Sequence, residues 1–244
     1  MKLTVVGCSP AWPNPGGAQS GYLVEGTVVE GPGRLLLDCG PGVLARLRAR
    51  EPWPLVDAIA LTHFHLDHWG DLVPWVFGAS FGAGREAKTP ELWVPPGGAE
   101  TLSFYGSKFG YGERYREAFD LHEYEEGVPF RTAGFDVTPV RLLHYRELTF
   151  GLRVTDGQAT IAYSGDTAPT PSLTELARGA DLFLCEATLA ASEPPEERGH
   201  LSADEAVAAF EAAGAKRLVV IHRPDELPLN GGVERAYDGL ELDL

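Results

Sequence analysis

Short apolar runs bounded by Gly, Pro, Asp and Ser recur along this chain, and their brevity suits buried strands better than helices. Leu3 to Val6, Gly21 to Glu25, Arg34 to Cys39 and Val56 to Thr62 read as strands of a first half, with a Pro- and Gly-rich loop over 7–20. Pro41 is placed to open a helix reaching about Arg50, because Pro suits the first helical position. Trp69 to Phe77 reads as another helix that ends near Gly78. Strands resume near 128–131, 135–141, 148–154 and 159–163, then at Asp181 to Cys185 and Arg217 to Ile221. Ser172-Leu173-Thr174-Glu175 and Ser202-Ala203-Asp204-Glu205 are capping-box patterns. Gly179 and Gly214 stand where each helix would end. The pattern predicts an α/β chain, and with no repeat or linker residues 1–244 are expected to form one domain.

The least regular stretch is 79–125. Glu91 to Val94 reads as a strand followed by the turn Pro95-Pro96. Residues 103–112 mix aromatics with Gly, which suits packing under a loop first, and also a lid or a contact in a homodimer. His122 reads as a surface residue on a strand.

Composition narrows the setting. The three cysteines, Cys8, Cys39 and Cys185, are odd in number and far apart, which argues against a disulfide framework. No apolar run approaches the ~20 residues that cross a bilayer, and the first residues read as a strand and turn rather than a signal peptide. A cytoplasmic setting is therefore expected. Scarce Asn, Gln and Met, Arg in excess of Lys and plentiful Pro suggest a heat-adapted source. A net charge of −15 disfavours long nucleic acid as a partner, because phosphate binding draws on basic surface. Arg46, Arg48 and Arg50 form a small basic group that fits the end of a helix.

The chemistry concentrates in His63-Phe64-His65-Leu66-Asp67-His68, which holds three of the seven histidines directly after an apolar strand. Imidazole and carboxylate are ligands for Zn²⁺, Mn²⁺ and Fe. His63 and His65 alternate as in an extended chain, so they face one side. Asp67 and His68 follow where the chain turns. Further on, His144 follows a strand, Asp166 sits in Tyr163-Ser164-Gly165-Asp166-Thr167, and His222 ends the run Leu218 to Ile221. His200 lies in Gly199-His200-Leu201-Ser202-Ala203, just before a helix, and Glu186 lies in Cys185-Glu186-Ala187-Thr188.

Taken in this order, these motifs resemble those of the metallo-β-lactamase superfamily over nearly the whole chain. The resemblance implies a four-layer αβ/βα sandwich with metals at one edge between the sheets; periodicity alone gives only α/β. It implies that His63, His65 and His144 hold one divalent ion, that Asp67, His68 and His222 hold a second, and that Asp166 bridges them. Two ions about 3.5–4 Å apart hold a hydroxide for attack. Asp67 would help to orient that water or take its proton. Zn²⁺ is the first expectation, with Mn²⁺ or Fe open.

The stretches around His200 and Glu186 are similar to motifs of the ribonuclease Z branch and its phosphodiesterase relatives. That likeness implies that His200 stabilises the phosphate or protonates the leaving oxygen, with Glu186 holding it cationic. Ribonuclease Z usually carries a long tRNA-gripping arm between the third His and the bridging Asp. Only the span Tyr145 to Gly165 stands there in this chain. The expectation is a dinuclear phosphodiesterase for a small phosphodiester such as a cyclic nucleotide. The alternatives are a ribonuclease Z-like tRNA 3′-end endonuclease, an acyl (ester, lactone or thioester) hydrolase, and a metal-bound interaction protein without turnover. β-Lactam cleavage is set aside on the His200 motif and the expected setting.

Overall fold

A computed structural model describes residues 1–28, 31–194, 198–229 and 231–244. In the first half, β1 (Lys2–Gly7), β2 (Gly21–Val28) and β3 (Gly31–Leu37) lead through α1 (Val43–Arg48) to β4 (Ala58–Ala60). Helices α2 (Leu66–Trp69) and α3 (Leu72–Phe81) precede β5 (Glu91–Val94), and α4 (Gly98–Lys108) and α5 (Arg114–Ala118) precede β6 (Asp120–Glu123). In the second half, β7 (Phe130–Thr132), β8 (Phe135–Arg141), β9 (Phe150–Thr155) and β10 (Thr160–Tyr163) run to α6 (Pro171–Ala177). There follow β11 (Leu182–Glu186), α7 (Ala203–Ala213), β12 (Leu218–Ile221), β13 (Glu234–Arg235) and β14 (Glu241–Asp243).

These strands form two seven-stranded sheets, ordered β14-β1-β2-β3-β4-β5-β6 and β13-β12-β11-β10-β9-β8-β7. Strand periodicity explains the layers. Leu35 and Leu37 face the second sheet and pack with Phe135, Leu152, Ile161 and Leu184, whereas Leu36 points the other way. Leu36 joins Leu23, Ile59 and Leu92 under Leu47, Trp75, Leu102 and Tyr115 of the helices on the first sheet. On the far side, Ala162, Phe183 and Val220 pack under Leu173 and Leu176 of α6 and Ala206 of α7. Both faces of each sheet are thus covered, which is why the strands read as continuous apolar runs. The result is the expected α/β sandwich of four layers.

Several boundaries differ from the sequence reading. Pro41 does not open α1, because Gly42 takes φ 94° and helical geometry starts only at Val43. The helix expected over 69–77 is two pieces separated at Gly70-Asp71, and the second continues through Gly78 to Phe81. Ser172 is not a cap: Thr170 is the N-cap of α6, with Pro171 directly after it. The second capping box is real, with Ser202 and Glu205 bonded reciprocally and Gly214 at φ 62° ending the helix. Residues 103–112 are not simply packed under a loop, since they lie on α4 and the turn after it with Phe104 55% and Phe109 73% exposed. His122 is on edge strand β6, stacked on Trp93. All three cysteines are buried and free. Among the described residues, no helix is long and apolar enough to cross a membrane.

The start of α7 is anchored by more than its own cap. Glu205 accepts from the Ser202 N–H at 2.9 Å and from both terminal nitrogens of Arg198, one of them at 2.8 Å. The Arg198 Nε–H donates to the His200 carbonyl at 2.9 Å, so the pair fixes the loop that enters the helix. Burial opposes the Glu205 charge, but these hydrogen bonds outweigh it and bring its pKa from 4.5 down to about 2. A depressed carboxylate contributes stability above its unfolded pKa and loses it as pH falls through the folded value. Glu205→Gln should therefore cost about 1 kcal/mol at pH 7, since solvent partly screens the pair. The gap from wild type in urea unfolding should shrink steadily between pH 4.5 and pH 2. A gap that is independent of pH would contradict this assignment.

Candidate metal centre

The chemical side chains gather where strands end. Asp38 follows β3, His63 follows β4, Asp166 follows β10, Glu186 ends β11 and His222 follows β12. β3 and β4 are parallel, as are β10, β11 and β12, so their carboxyl ends all open on one edge of the sandwich. His65 is the N-cap of α2 and Asp67 and His68 lie on that helix, His144 comes from the turn after β8, and His200 from the loop before α7.

The structure brings the candidate residues into three overlapping groups. His63, His65, His144 and Asp166 form one, Asp67, His68, Asp166 and His222 a second, and Glu186, His200 and His222 a third. Within each group the ligand atoms lie within 4.8 Å of one another. Asp166 is shared by the first two: its Oδ2 stands 3.9 Å from His63 Nε2 and 3.4 Å from His68 Nε2. Asp67 Oδ2 lies 3.1 Å from His222 Nε2 and 3.4 Å from His68 Nε2.

Hydrogen bonds on the far side of each ring decide which nitrogen faces inward. His68 Nδ1–H donates to Asp38 Oδ2 at 2.7 Å. His63 Nδ1–H donates to Thr62 Oγ1 at 3.0 Å, and that hydroxyl donates to Asp38 at 2.9 Å. His144 Nδ1–H donates to the Gly199 carbonyl at 2.6 Å, and His222 Nδ1–H to Thr188 Oγ1 at 2.8 Å. All four therefore turn Nε2 toward the cluster, and each ring when neutral offers its lone pair there, the tautomer that metal ligation requires. His65 presents Nδ1, which lies 2.9 Å from His144 Nε2, so both rings aim at one point.

Two observations show that these residues fit cations. His63 Nε2, His68 Nε2 and Asp166 Oδ1 are buried without a hydrogen-bond partner, although buried polar atoms are normally satisfied. Charge is also unbalanced, since Asp38, Asp67, Asp166 and Glu186 are all buried. Burial opposes ionisation of Asp67 and Asp166, but neighbouring His68 and His222 hold both well below the ordinary range. Burial pushes His63 and His144 down, which keeps them neutral. His68 is likewise opposed by burial, yet Asp166, Asp67 and Asp38 raise it, a proton filling part of the place of a cation.

His200 stands beside these groups. Its Nδ1–H donates to Glu186 Oε1 at 2.9 Å, and its ring stacks on His222 at 5.6 Å. Burial pulls the imidazole down, but the Glu186 charge and hydrogen bond, helped by Asp166, outweigh it and raise the pKa to about 9. Glu186 Oε1 also accepts from the Thr167 N–H and Oε2 from the Thr188 hydroxyl, so this carboxylate orients both His200 and His222.

The sequence reading missed Asp38, Thr62, Tyr163 and Thr188. Tyr163 donates its hydroxyl to Asp38 at 2.6 Å. Three of the four non-glycine residues with positive φ among the described residues are Asp38, Tyr145 and His222. Such backbone costs roughly 1–3 kcal/mol each and persists where the surroundings force it. Gly40 is required by space: a Cβ there would lie 1.9 Å from the Asp67 carbonyl.

Comparison with known proteins fits this geometry. The family model described as Beta-lactamase superfamily domain matches residues 33–223. A probable metallo-hydrolase, YhfI of Bacillus subtilis, is 30% identical over 230 residues, covering 92% of this chain and 87% of that protein. Its crystal structure superposes with a TM-score of 0.82 at 26% identity, covering 99% of both chains. A ribonuclease Z of Mycobacterium bovis is 31% identical over 251 residues, covering 91% of this chain and 85% of that protein. The structure of a diphosphatase from the PhnP family shares the fold, with a TM-score of 0.77 at 23% identity over 100% of this chain and 97% of that one. The chain belongs to the β-lactamase superfamily and is a metal-dependent hydrolase whose His and Asp groups are able to bind metal ions.

Proposed function

We propose that the protein is a dinuclear phosphodiesterase acting on a small phosphodiester such as a cyclic nucleotide. The observation that carries this reading is the Glu186–His200 pair, held at 2.9 Å against the Asp67, His68, Asp166 and His222 group. His63, His65 and His144 would hold one ion and Asp67, His68 and His222 the other, with Asp166 reaching both. Zn²⁺ is the first choice for a His-rich site, with Mn²⁺ or Fe next. When bound, the two ions supply Lewis acidity, which makes water acidic near neutral pH and offsets phosphate charge.

The chain's own residues account for the rest. Asp67, ionised and at the edge of its group, accepts the proton of an attacking water or orients it. His200 has its Nδ1–H committed to Glu186, so Nε2–H is the proton it offers to a leaving oxygen. Expulsion of an alkoxide needs such a proton, and general acid catalysis of this kind contributes about 10²–10⁴-fold. A small substrate suits the net charge of −15. It also suits the short path from His144 to Asp166, which is filled by a turn, β9 and β10 and leaves no arm to hold tRNA. The likeness to ribonuclease Z supports a second reading, cleavage of an RNA end at the same site.

Two predictions test this reading. His200→Gln in the Zn²⁺- or Mn²⁺-loaded protein should cut kcat on a cyclic nucleotide by ~10²–10⁴-fold, with metal content unchanged by elemental analysis. The loss on bis(p-nitrophenyl) phosphate should be smaller, because nitrophenolate leaves without a proton. Wild-type turnover of the cyclic nucleotide by His200→Gln, or no turnover of either diester by metal-loaded wild type, would sink the proposal. Secondly, Asp38→Asn keeps the shape of the side chain but removes the charge that fixes His68. Loss of such an outer partner typically costs 10–100-fold in metal affinity. Competition with a chromophoric chelator should register that drop, and unchanged affinity would remove Asp38 from the assembly.

A further inference from the structure

Tyr145 follows the cluster residue His144 directly and is 47% exposed, while most of the cluster is buried. Its backbone sits at φ 48°, which a tyrosine seldom adopts. The conformation is held from two sides. The turn from His144 to Glu147 closes with a 2.9 Å backbone hydrogen bond, and the Tyr145 N–H donates to the Arg198 carbonyl at 3.4 Å. The ring centroid lies 4.8 Å from that of His144 and 5.8 Å from that of His200, at 82° to the latter.

Gly199 shows that the ring position is built in. This glycine does not have positive φ, so its backbone does not call for glycine. A Cβ there would lie 2.2–2.5 Å from three ring carbons of Tyr145. The missing side chain makes room for the ring. Of the residues on the three groups, His65 and His200 are the partly exposed ones, and Leu66, next to His65 in sequence, is 62% exposed. The exposed or partly exposed residues at the site thus include His65, Leu66, Tyr145 and His200, with the Tyr145 ring next to the proposed acid.

We propose that Tyr145 is a specificity-determining residue, whose exposed ring takes a planar aromatic group carried by the phosphodiester, as a nucleobase or an aryl ring. This rests on the phosphodiesterase reading, and the strained backbone and the vacated Gly199 position are what a fixed platform needs. Stacking gives selection by flatness rather than by hydrogen-bond pattern. It would hold the group that stays on phosphorus while His200 faces the one that leaves.

The test compares bis(p-nitrophenyl) phosphate with methyl p-nitrophenyl phosphate, which share a leaving group and differ only in the retained group. Wild type should favour the diaryl ester in kcat/KM. Tyr145→Gly suits the left-handed backbone and removes the ring, and the preference should fall about tenfold, mostly through KM, a size typical of aromatic stacking. Tyr145→Phe should keep it. An unchanged preference in Tyr145→Gly, or an equal loss on both esters, would overturn the assignment. Calorimetry with phenylphosphonate and methylphosphonate separates this from the wider reading. If wild type hydrolyses neither ester yet binds phenylphosphonate more tightly, and Tyr145→Gly does not, the phosphodiesterase reading falls and the platform stands. If wild type binds both equally, or Tyr145→Gly keeps the difference, the platform falls.

Discussion

The Asp38 carboxylate is the point on which the arrangement turns. It is fully buried, and a buried charge is tolerated only when it is well hydrogen-bonded. Four donors meet that need: the Thr62 N–H at 2.8 Å, the Thr62 hydroxyl at 2.9 Å, His68 Nδ1–H at 2.7 Å and the Tyr163 hydroxyl at 2.6 Å. Thr62 and His68 belong to the first half of the chain and Tyr163 ends β10 in the second sheet. One charge thus joins the two sheets and orients two histidines, His68 directly and His63 through Thr62. The packing of the core and the aim of the candidate ligands are one constraint, because the sheets cannot shift against each other without pulling a donor from Asp38.

Glu186 plays a parallel part in the second half. One oxygen accepts from His200 and the other from Thr188, whose own oxygen accepts from His222. A single carboxylate therefore sets the proton on the proposed acid and the tautomer of a ligand. Gly40 and the backbone bonds Cys39 N–H to His68 O and Ser20 N–H to Asp67 O brace α2 in the same spirit. Helix α2 spans only Leu66–Trp69, too short to be stable alone, so its position is dictated by these neighbours.

What was legible in the sequence follows from this division. The residues that converge on the cluster are histidines and acids at strand ends, and a strand end is visible because apolar runs are easy to bound. The partners behind them are ordinary residues, Thr62, Tyr163 and Thr188, whose roles come from contacts across the fold, and Asp38 differs from other acids only in having four donors around it. Tyr145 and Gly199 gave no pattern, since they depend on a meeting of loops 54 residues apart in sequence, 199 minus 145. Helices α4 and α5 were obscured by glycines such as Gly106, whose near contact with Gly112 suits a tight turn against a helix rather than a flexible loop. Strands β13 and β14 are too short to show a period, and they are strands only because β12 and β1 supply partners.

The separation of buried and exposed parts has a consequence for selectivity. His63, His68 and His222 are buried and tied by hydrogen bonds to groups that are themselves buried, so changing any of them disturbs the core. The side chains of Leu66 and Tyr145 meet solvent and make none of those hydrogen bonds. On the platform proposal, a substitution at Tyr145 would alter which substrates are taken while Asp38 and Glu186 still orient the candidate ligands. On this fold the strand ends gather the acids and histidines of the cluster and the loops above them carry the exposed residues, a division that lets one scaffold serve different substrates.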